Sequence, residues 1–417
     1  MSHIAEIISV GTELLLGNTT NTDARDISIM LSELGINVYY HTVVGDNPNR
    51  LKAAVDIAKS RADIIITTGG LGPTCDDLTK QTLAEAFGVK LIFSEEEAEI
   101  IRSYFRNRLH YDTMPENNLQ QAYLPENCTV FHNDWGTAPG CAFEADGITV
   151  MMLPGPPREC ISMFKKCAVP YLRAMSDYVI RSHNIHIFGM GESAVEDKLR
   201  PMMLAMENPT LAPYAKNGEV MLRVTAKTKT DEEADKLMEP AIEQVKAILG
   251  DKIYGIDTES LEKTVLDMLI ERDLTIAIAE SCTGGMLSKR ITDISGASNA
   301  FLGGGVTYSN HAKFELAGVD PEFLAENGPY NEETAKMMAE GIRKRLDADF
   351  GIGITGLAGP DPDENGLEPG TVFVAMAAPD GTCCRKLHLG LGRERIRVLA
   401  SNHALDMVRR YLTELEI

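Results

Sequence analysis

The stretch Thr275-Ile-Ala-Ile-Ala-Glu-Ser-Cys-Thr-Gly-Gly285 changes character at its midpoint. Thr275 to Ala279 is a short apolar run of β type, and Met286 to Ile294 carries a helical pattern, so Ser281 and Cys282 sit where a strand hands over to a helix. Such a turn aims unpaired backbone N–H groups and the positive end of a helix dipole at one small volume, where a nucleophile is activated and an oxyanion stabilised. Ser, Thr and Gly are also ordinary cap and turn residues, so a chemical reading needs support from other segments.

The surrounding chain supplies it. A helix from Leu261 to Arg272 precedes the stretch, and Phe301-Leu-Gly-Gly-Gly-Val-Thr-Tyr308 suits a strand with close backbone approaches. Ser309-Asn-His-Ala-Lys313 opens a helix, and a further helix, Glu332 to Leu346, leads to the strand Phe350 to Ile354 and the turn Thr355-Gly-Leu-Ala-Gly-Pro360. Thr371 to Ala378 and Cys383 to Leu389 read as hairpin-like strands, and Arg393 to Leu412 as a closing helix. The residue types gathered at these turns suggest acyl transfer. Ser281 attacks, Lys313 removes its proton once burial has depressed the amine's pKa, and Tyr308 relays or positions that proton. Cys282 is a rival nucleophile because thiols are intrinsically better ones, although a small buried packing residue is the plainer reading.

The N-terminal part alternates strands with helices: strand Ile4 to Val10, a helix capped by Asn21-Thr22-Asp23 with Gly35 as its stop, strand Ile36 to Val44, helix Asn49 to Ser60 and strand Ile64 to Thr67. This order predicts an α/β fold, a doubly wound parallel sheet with ligands at the carboxyl ends of its strands. The third strand runs into Thr68-Gly-Gly-Leu-Gly-Pro-Thr-Cys-Asp-Asp-Leu-Thr79, whose glycines let backbone amides close around an anion, although the spacing is neither G-x-G-x-x-G nor a Walker A loop. Asp76 and Asp77 are candidates for a divalent metal bridging a pyrophosphate, or simply helix caps.

At 417 residues the chain is long enough for two or three cores. Its formal net charge of -21 opposes a phosphate backbone, so direct nucleic-acid binding is not expected, while small nucleotides need only a local anion site. Eight cysteines without a C-x-x-C pair read as reduced thiols. Met1-Ser-His-Ile-Ala-Glu6 shows no basic region followed by an apolar stretch, and no apolar run approaches about 18 residues, so a cytoplasmic protein without a membrane anchor is expected.

Several motifs carry a family resemblance. Gly11-Thr-Glu-Leu-Leu-Leu-Gly17, Val44-Gly-Asp-Asn47, Gly69 through Thr79, Gly136-Thr-Ala-Pro-Gly140 and Leu153-Pro-Gly-Pro-Pro157 resemble the N-terminal domain of the CinA competence/damage-inducible family, which is related to the molybdopterin-binding fold. Some members are described as ADP-ribose pyrophosphatases. The resemblance implies Asp46 and Asp77 as acidic active-site residues holding a divalent metal, and Gly69, Gly70 and Gly72 as the anion loop. The pattern from Ile185 to Leu249 resembles that family's small α+β, KH-like middle domain, yet Gly189-Met-Gly-Glu192 lacks the basic G-x-x-G clamp of an RNA-binding module. Ala279 through Gly285, Phe301 through Lys313 and Thr355 through Pro360 resemble the CinA C-terminal domain, also found alone as nicotinamide mononucleotide amidohydrolase.

The resemblance implies three domains, 1–170, 171–255 and 256–417, the last an α/β amidohydrolase domain. It implies hydrolysis of the carboxamide of nicotinamide mononucleotide to nicotinic acid mononucleotide and ammonia, without a metal. Ser281, Tyr308 and Lys313 take the catalytic positions, and Thr355, Gly356 and Arg393 lie at the substrate, Arg393 suited to its phosphate. A homodimer is also implied. One segment departs: Gly328-Pro-Tyr-Asn331 stands where many relatives have Gly-Ala-Val-Ser, a bulky loop in place of a small one. A non-catalytic, nucleotide-responsive interaction protein is the alternative reading.

Overall fold

The computed structural model describes residues 3–111, 113–175, 178–364, 366–390 and 392–417; Met1 and Ser2 of the N-terminal reading lie outside them. The chain packs as two compact units. One runs up to Arg181 and includes Ala226–Lys236; the other comprises Ser182–Thr225 and Leu237–Ile417.

The first unit is built on a six-stranded sheet in the order Asn37–Val44, Ile4–Val10, Ile64–Thr68, Ile148–Leu153, Gly140–Ala145, Thr129–Phe131. The first four strands are parallel, as the alternating pattern requires. The last two add antiparallel pairs at one edge, Gly140–Ala145 on Ile148–Leu153 and Thr129–Phe131 on Gly140–Ala145. Strands buried on both faces read as continuous apolar runs: Ile64, Ile65 and Ile66 are all fully buried. The helix Thr22–Glu33 starts where the Asn21 side chain accepts from the Ala24 amide at 3.2 Å, and it turns Ile27 and Leu31 inward.

A four-stranded sheet, ordered Thr210–Lys216, Glu219–Thr228, Val179–Ile187, Ile253–Ile256, is followed along the chain by a five-stranded one, which lies in the second unit. Phe188 and Tyr254 of the segment 171–255 pack among Leu261, Val265 and Leu405 of the segment 256–417. The five-stranded sheet has the order Phe301–Val306, Ile276–Glu280, Phe350–Gly356, Thr371–Ala378, Gly381–His388, with the first three strands parallel and the hairpin antiparallel.

The strand Ile276–Glu280 lies inside this sheet, and its period of two sorts its side chains. Ile276 and Ile278 face the helices Leu261–Ile270 and Arg393–Leu412, while Ala277 and Ala279 face Met338 and Ile342 of Glu332–Leu346. The helix Glu332–Leu346 lies so close that a β-carbon on Gly353 would stand 2.2 Å from the Ala335 carbonyl oxygen. Glycine is thus what seats that helix against the parallel strands, whose carboxyl ends carry the site. Among the described residues no helix is long and apolar enough to cross a membrane.

Candidate active site

Ser281 follows directly from the strand Ile276–Glu280, and its amide donates to the Ile354 carbonyl of the neighbouring strand at 2.9 Å. Lys313 comes from the helix Asn310–Ala317, capped by Ser309. Its Nζ donates to Ser281 Oγ at 3.0 Å and to the Thr307 carbonyl at 2.9 Å. Lys313 is fully buried and Ser281 is 3 % exposed. Burial without a carboxylate partner disfavours the charged ammonium and lowers the Lys313 pKa to about 8. The pair therefore has the geometry and the electrostatics of a nucleophile beside a base.

Cys282, the neighbouring thiol, is 5 % exposed, and burial pushes its pKa up to about 11. It stays protonated at neutral pH, and its side chain belongs to the apolar cluster of Leu287 and Ile354.

The helix end predicted to face this turn does not. The fully buried Glu280 carboxylate accepts from the Leu287 amide at 3.0 Å, the Ser288 amide at 2.8 Å and Ser288 Oγ at 2.7 Å, and the Met286 amide donates to the Thr283 carbonyl. The first-turn donors of Met286–Thr292 are consumed from inside the fold, so the dipole end meets an internal carboxylate. Among the described residues, the amides of Cys282 and Thr283 have no backbone acceptor. Sequence reading passed over Glu280 because a carboxylate at a strand's end ordinarily marks the return to solvent.

Of the predicted trio, Tyr308 is not hydrogen-bonded to the other two. It is 63 % exposed, and its hydroxyl accepts from Arg393 Nη2 at 3.2 Å. Arg393, the first residue of the closing helix, also donates to the Gly359 carbonyl at 2.9 Å, so it links Tyr308 to the turn that follows the strand Phe350–Gly356. Thr355 is fully buried and spends its hydroxyl on the Pro329 carbonyl at 2.7 Å, which brings the loop Gly328–Asn331 to the site. Gly356 lies where a β-carbon would stand 2.5 Å from the Thr371 carbonyl oxygen. Arg397, one helical turn beyond Arg393, was not singled out from sequence. Its Nε and Nη2 both reach the Thr283 carbonyl, at 3.1 and 2.6 Å, and hold the turn after Ser281 in place.

In the first unit a cavity of about 550 Å³ is lined by Gly69, Gly70, Gly72, Asp46, Asp76, Asp77, Glu13 and Asp23 among others. The Gly69 amide is spent on the Leu153 carbonyl, whereas among the described residues those of Gly70, Leu71 and Gly72 have no backbone acceptor. Asp46 accepts from the amide and hydroxyl of Thr12 at 2.9 and 2.8 Å, and Asp77 from the Thr74 amide at 2.8 Å. Thr74 also bonds Asp76 and holds its carboxyl below the ordinary range. Hard carboxylate oxygens facing a roomy cleft fit a magnesium-like ion, which keeps several water or phosphate oxygens. Among the described residues no three His, Cys, Asp or Glu side chains close around one point, so such an ion would lean on its substrate.

Comparison with known proteins covers almost the whole chain. Residues 6–174 match the family described as a probable molybdopterin binding domain, 182–255 the damage-inducible protein CinA KH domain, and 258–412 the CinA C-terminal domain. A protein of Acetivibrio thermocellus with a competence-damage inducible name is 47 % identical over 412 residues, 99 % of each chain. A CinA-like protein of Dictyoglomus turgidum is 44 % identical over 410 residues, 98 % of this chain and 99 % of its own. Among solved structures, the CinA protein of Thermoplasma acidophilum is 32 % identical and spans 39 % of this chain and 95 % of its own, with a TM-score of 0.36. Near-complete coverage at this identity, with all three domain families in order, makes the chain a member of the CinA family of competence/damage-inducible proteins.

Proposed function

We propose that the C-terminal domain hydrolyses the carboxamide of nicotinamide mononucleotide to nicotinic acid mononucleotide and ammonia. The observation that carries this reading is the 3.0 Å hydrogen bond between the fully buried Lys313 Nζ and Ser281 Oγ. With a pKa of about 8, roughly a tenth of the amines are neutral at pH 7. The neutral amine takes the Ser281 hydroxyl proton as Oγ bonds to the carboxamide carbon. The resulting oxyanion is received by the amides of Cys282 and Thr283.

When the C–N bond breaks, Lys313 returns its proton to the departing nitrogen and ammonia leaves. Water then attacks the nicotinyl ester, giving its proton to Lys313 and onward to Ser281 Oγ as the acid is released. Arg393 holds the substrate phosphate at the mouth, with Tyr308 orienting its guanidinium. Ammonia release from nicotinamide mononucleotide tests the reading: activity that persists in both Ser281→Ala and Lys313→Ala removes it.

A second reading belongs to the first unit: hydrolysis of a nucleotide pyrophosphate such as ADP-ribose. The glycine loop and the carboxylates that meet in one cavity support it. Asp46 and Asp77 would hold a divalent ion, which when bound neutralises phosphate charge. The amides of Gly70, Leu71 and Gly72 receive phosphate oxygens. Absence of turnover across a divalent-metal screen defeats this reading. Nucleotide binding without turnover in either unit favours the non-catalytic alternative. The expected homodimer finds support in the apolar side chains Leu302, Val306, Phe314 and Leu316, exposed on and beside the sheet's edge strand Phe301–Val306.

A further inference from the structure

The loop Gly328–Asn331 joins the helices Pro321–Asn327 and Glu332–Leu346, and its backbone is held at several points. Asn331 accepts from the Thr334 amide at 2.8 Å and donates to the Gly328 and Asn327 carbonyls at 2.8 and 3.1 Å. Thr355 fixes the Pro329 carbonyl from the end of the strand that also receives the Ser281 amide. The residue between these anchors, Tyr330, is half-buried and stands within electrostatic reach of Tyr308, Asp363 and Cys282. Its backbone is thus pinned beside the strand end that carries Thr355 and receives the Ser281 amide. Burial keeps its phenol neutral.

We infer that Tyr330 is the specificity-determining wall of this site, its ring packing on the planar heteroaromatic ring of an aryl carboxamide. The inference rests on the amidohydrolase reading and names what it selects: an amide conjugated to a flat ring in preference to an aliphatic one such as that of glutamine. An aromatic face in contact with an electron-poor ring gains from offset stacking and from apolar area removed from water. A rigid loop adds to the gain, since a pre-positioned ring loses little rotamer freedom when the ligand arrives.

The test measures binding and turnover separately. In a Ser281→Ala background, calorimetry gives the affinity for nicotinamide mononucleotide and for ribose 5-phosphate, which lacks the ring. Adding Tyr330→Val is expected to weaken nicotinamide mononucleotide binding about 3- to 10-fold, leaving ribose 5-phosphate unchanged; Tyr330→Phe, which keeps the ring, restores most of the loss. With Ser281 intact, Tyr330→Val raises KM by a similar factor and leaves the pH profile in place. Equal loss for both ligands, or tighter nicotinamide mononucleotide binding in Tyr330→Val, overturns the inference, the latter because the side chain then obstructs. Ring-dependent binding with no ammonia release from the unmodified protein overturns the hydrolytic reading and leaves the wall standing. No binding of either ligand ends both.

Discussion

Lys313 Nζ and Ser281 Oγ, 32 residues apart in sequence, lie 3.0 Å apart, the lysine fully buried and the serine nearly so. One amine serves two acceptors there, the hydroxyl and the Thr307 carbonyl. Removing either member should eliminate the chemistry while leaving the other in place. Ser281→Ala and Lys313→Met are each expected to lower ammonia release from nicotinamide mononucleotide by about 1,000-fold or more. Cys282→Ala, which removes a packing thiol, should retain activity within about tenfold. A steady-state ammonia assay reads all three, and a dead Cys282→Ala that still folds would exchange the roles of the two side chains.

The depressed amine sets the pH dependence. Activity should climb about tenfold per pH unit below about 8, where the neutral fraction of Lys313 grows, and level off above it. A profile of kcat/KM that is flat from pH 6 to 9 contradicts Lys313 as the base.

The same shift acts on stability, with the opposite sense from a salt-bridged lysine. The folded pKa of about 8 lies below the ordinary 10.5, so the unfolded chain binds the proton more tightly. Stability from this group is lowest below about pH 8 and rises as pH passes toward 10.5. Lys313→Met removes a buried charge, so it should raise thermal stability at pH 7 by about 1–2 kcal/mol, the gain fading near pH 10. Thermal melts at the two pH values check it; equal effects at both count against a charged buried amine.

Glu280 holds the helix start from below through three hydrogen bonds. Glu280→Ala leaves the buried Leu287 amide and the part-buried Ser288 amide without that acceptor and should cost about 2–4 kcal/mol, with Glu280→Gln milder. Urea titration measures the difference, and a neutral Glu280→Ala would mean that those amides find other partners.

In the first unit, Gly69 has φ +91, and a β-carbon there would stand 2.2 Å from the Val10 carbonyl oxygen. Gly69→Ala should displace the glycine loop and weaken ADP-ribose binding more than about tenfold. Asp77→Asn should reduce metal-dependent ADP-ribose turnover at least about 100-fold, EDTA should abolish that turnover, and ammonia release should persist under both. Light scattering of the full chain, alone and as Leu302→Lys with Val306→Lys, tests the dimer: a dimeric mass that falls to the monomer's is expected, and a monomer from the start removes that part of the reading.

By itself the sequence determined the α/β class, the positions of most helices and strands, and the residue types of both candidate sites. The helices Glu332–Leu346 and Arg393–Leu412 and the strand Thr371–Ala378 occupy the spans that periodicity predicts. Caps and alternation act over a few residues, so they are legible one segment at a time. Only the tertiary structure decided which of those residues meet. It joined Ser281 to Lys313 but turned Tyr308 toward Arg393, gave the helix amides to Glu280, and brought Tyr330 within electrostatic reach of Tyr308 and Cys282. The reason is that a lysine's proton affinity depends on how much water remains around it, and a hydroxyl's partner on which strand ends lie side by side. Neither quantity exists until distant segments have packed together.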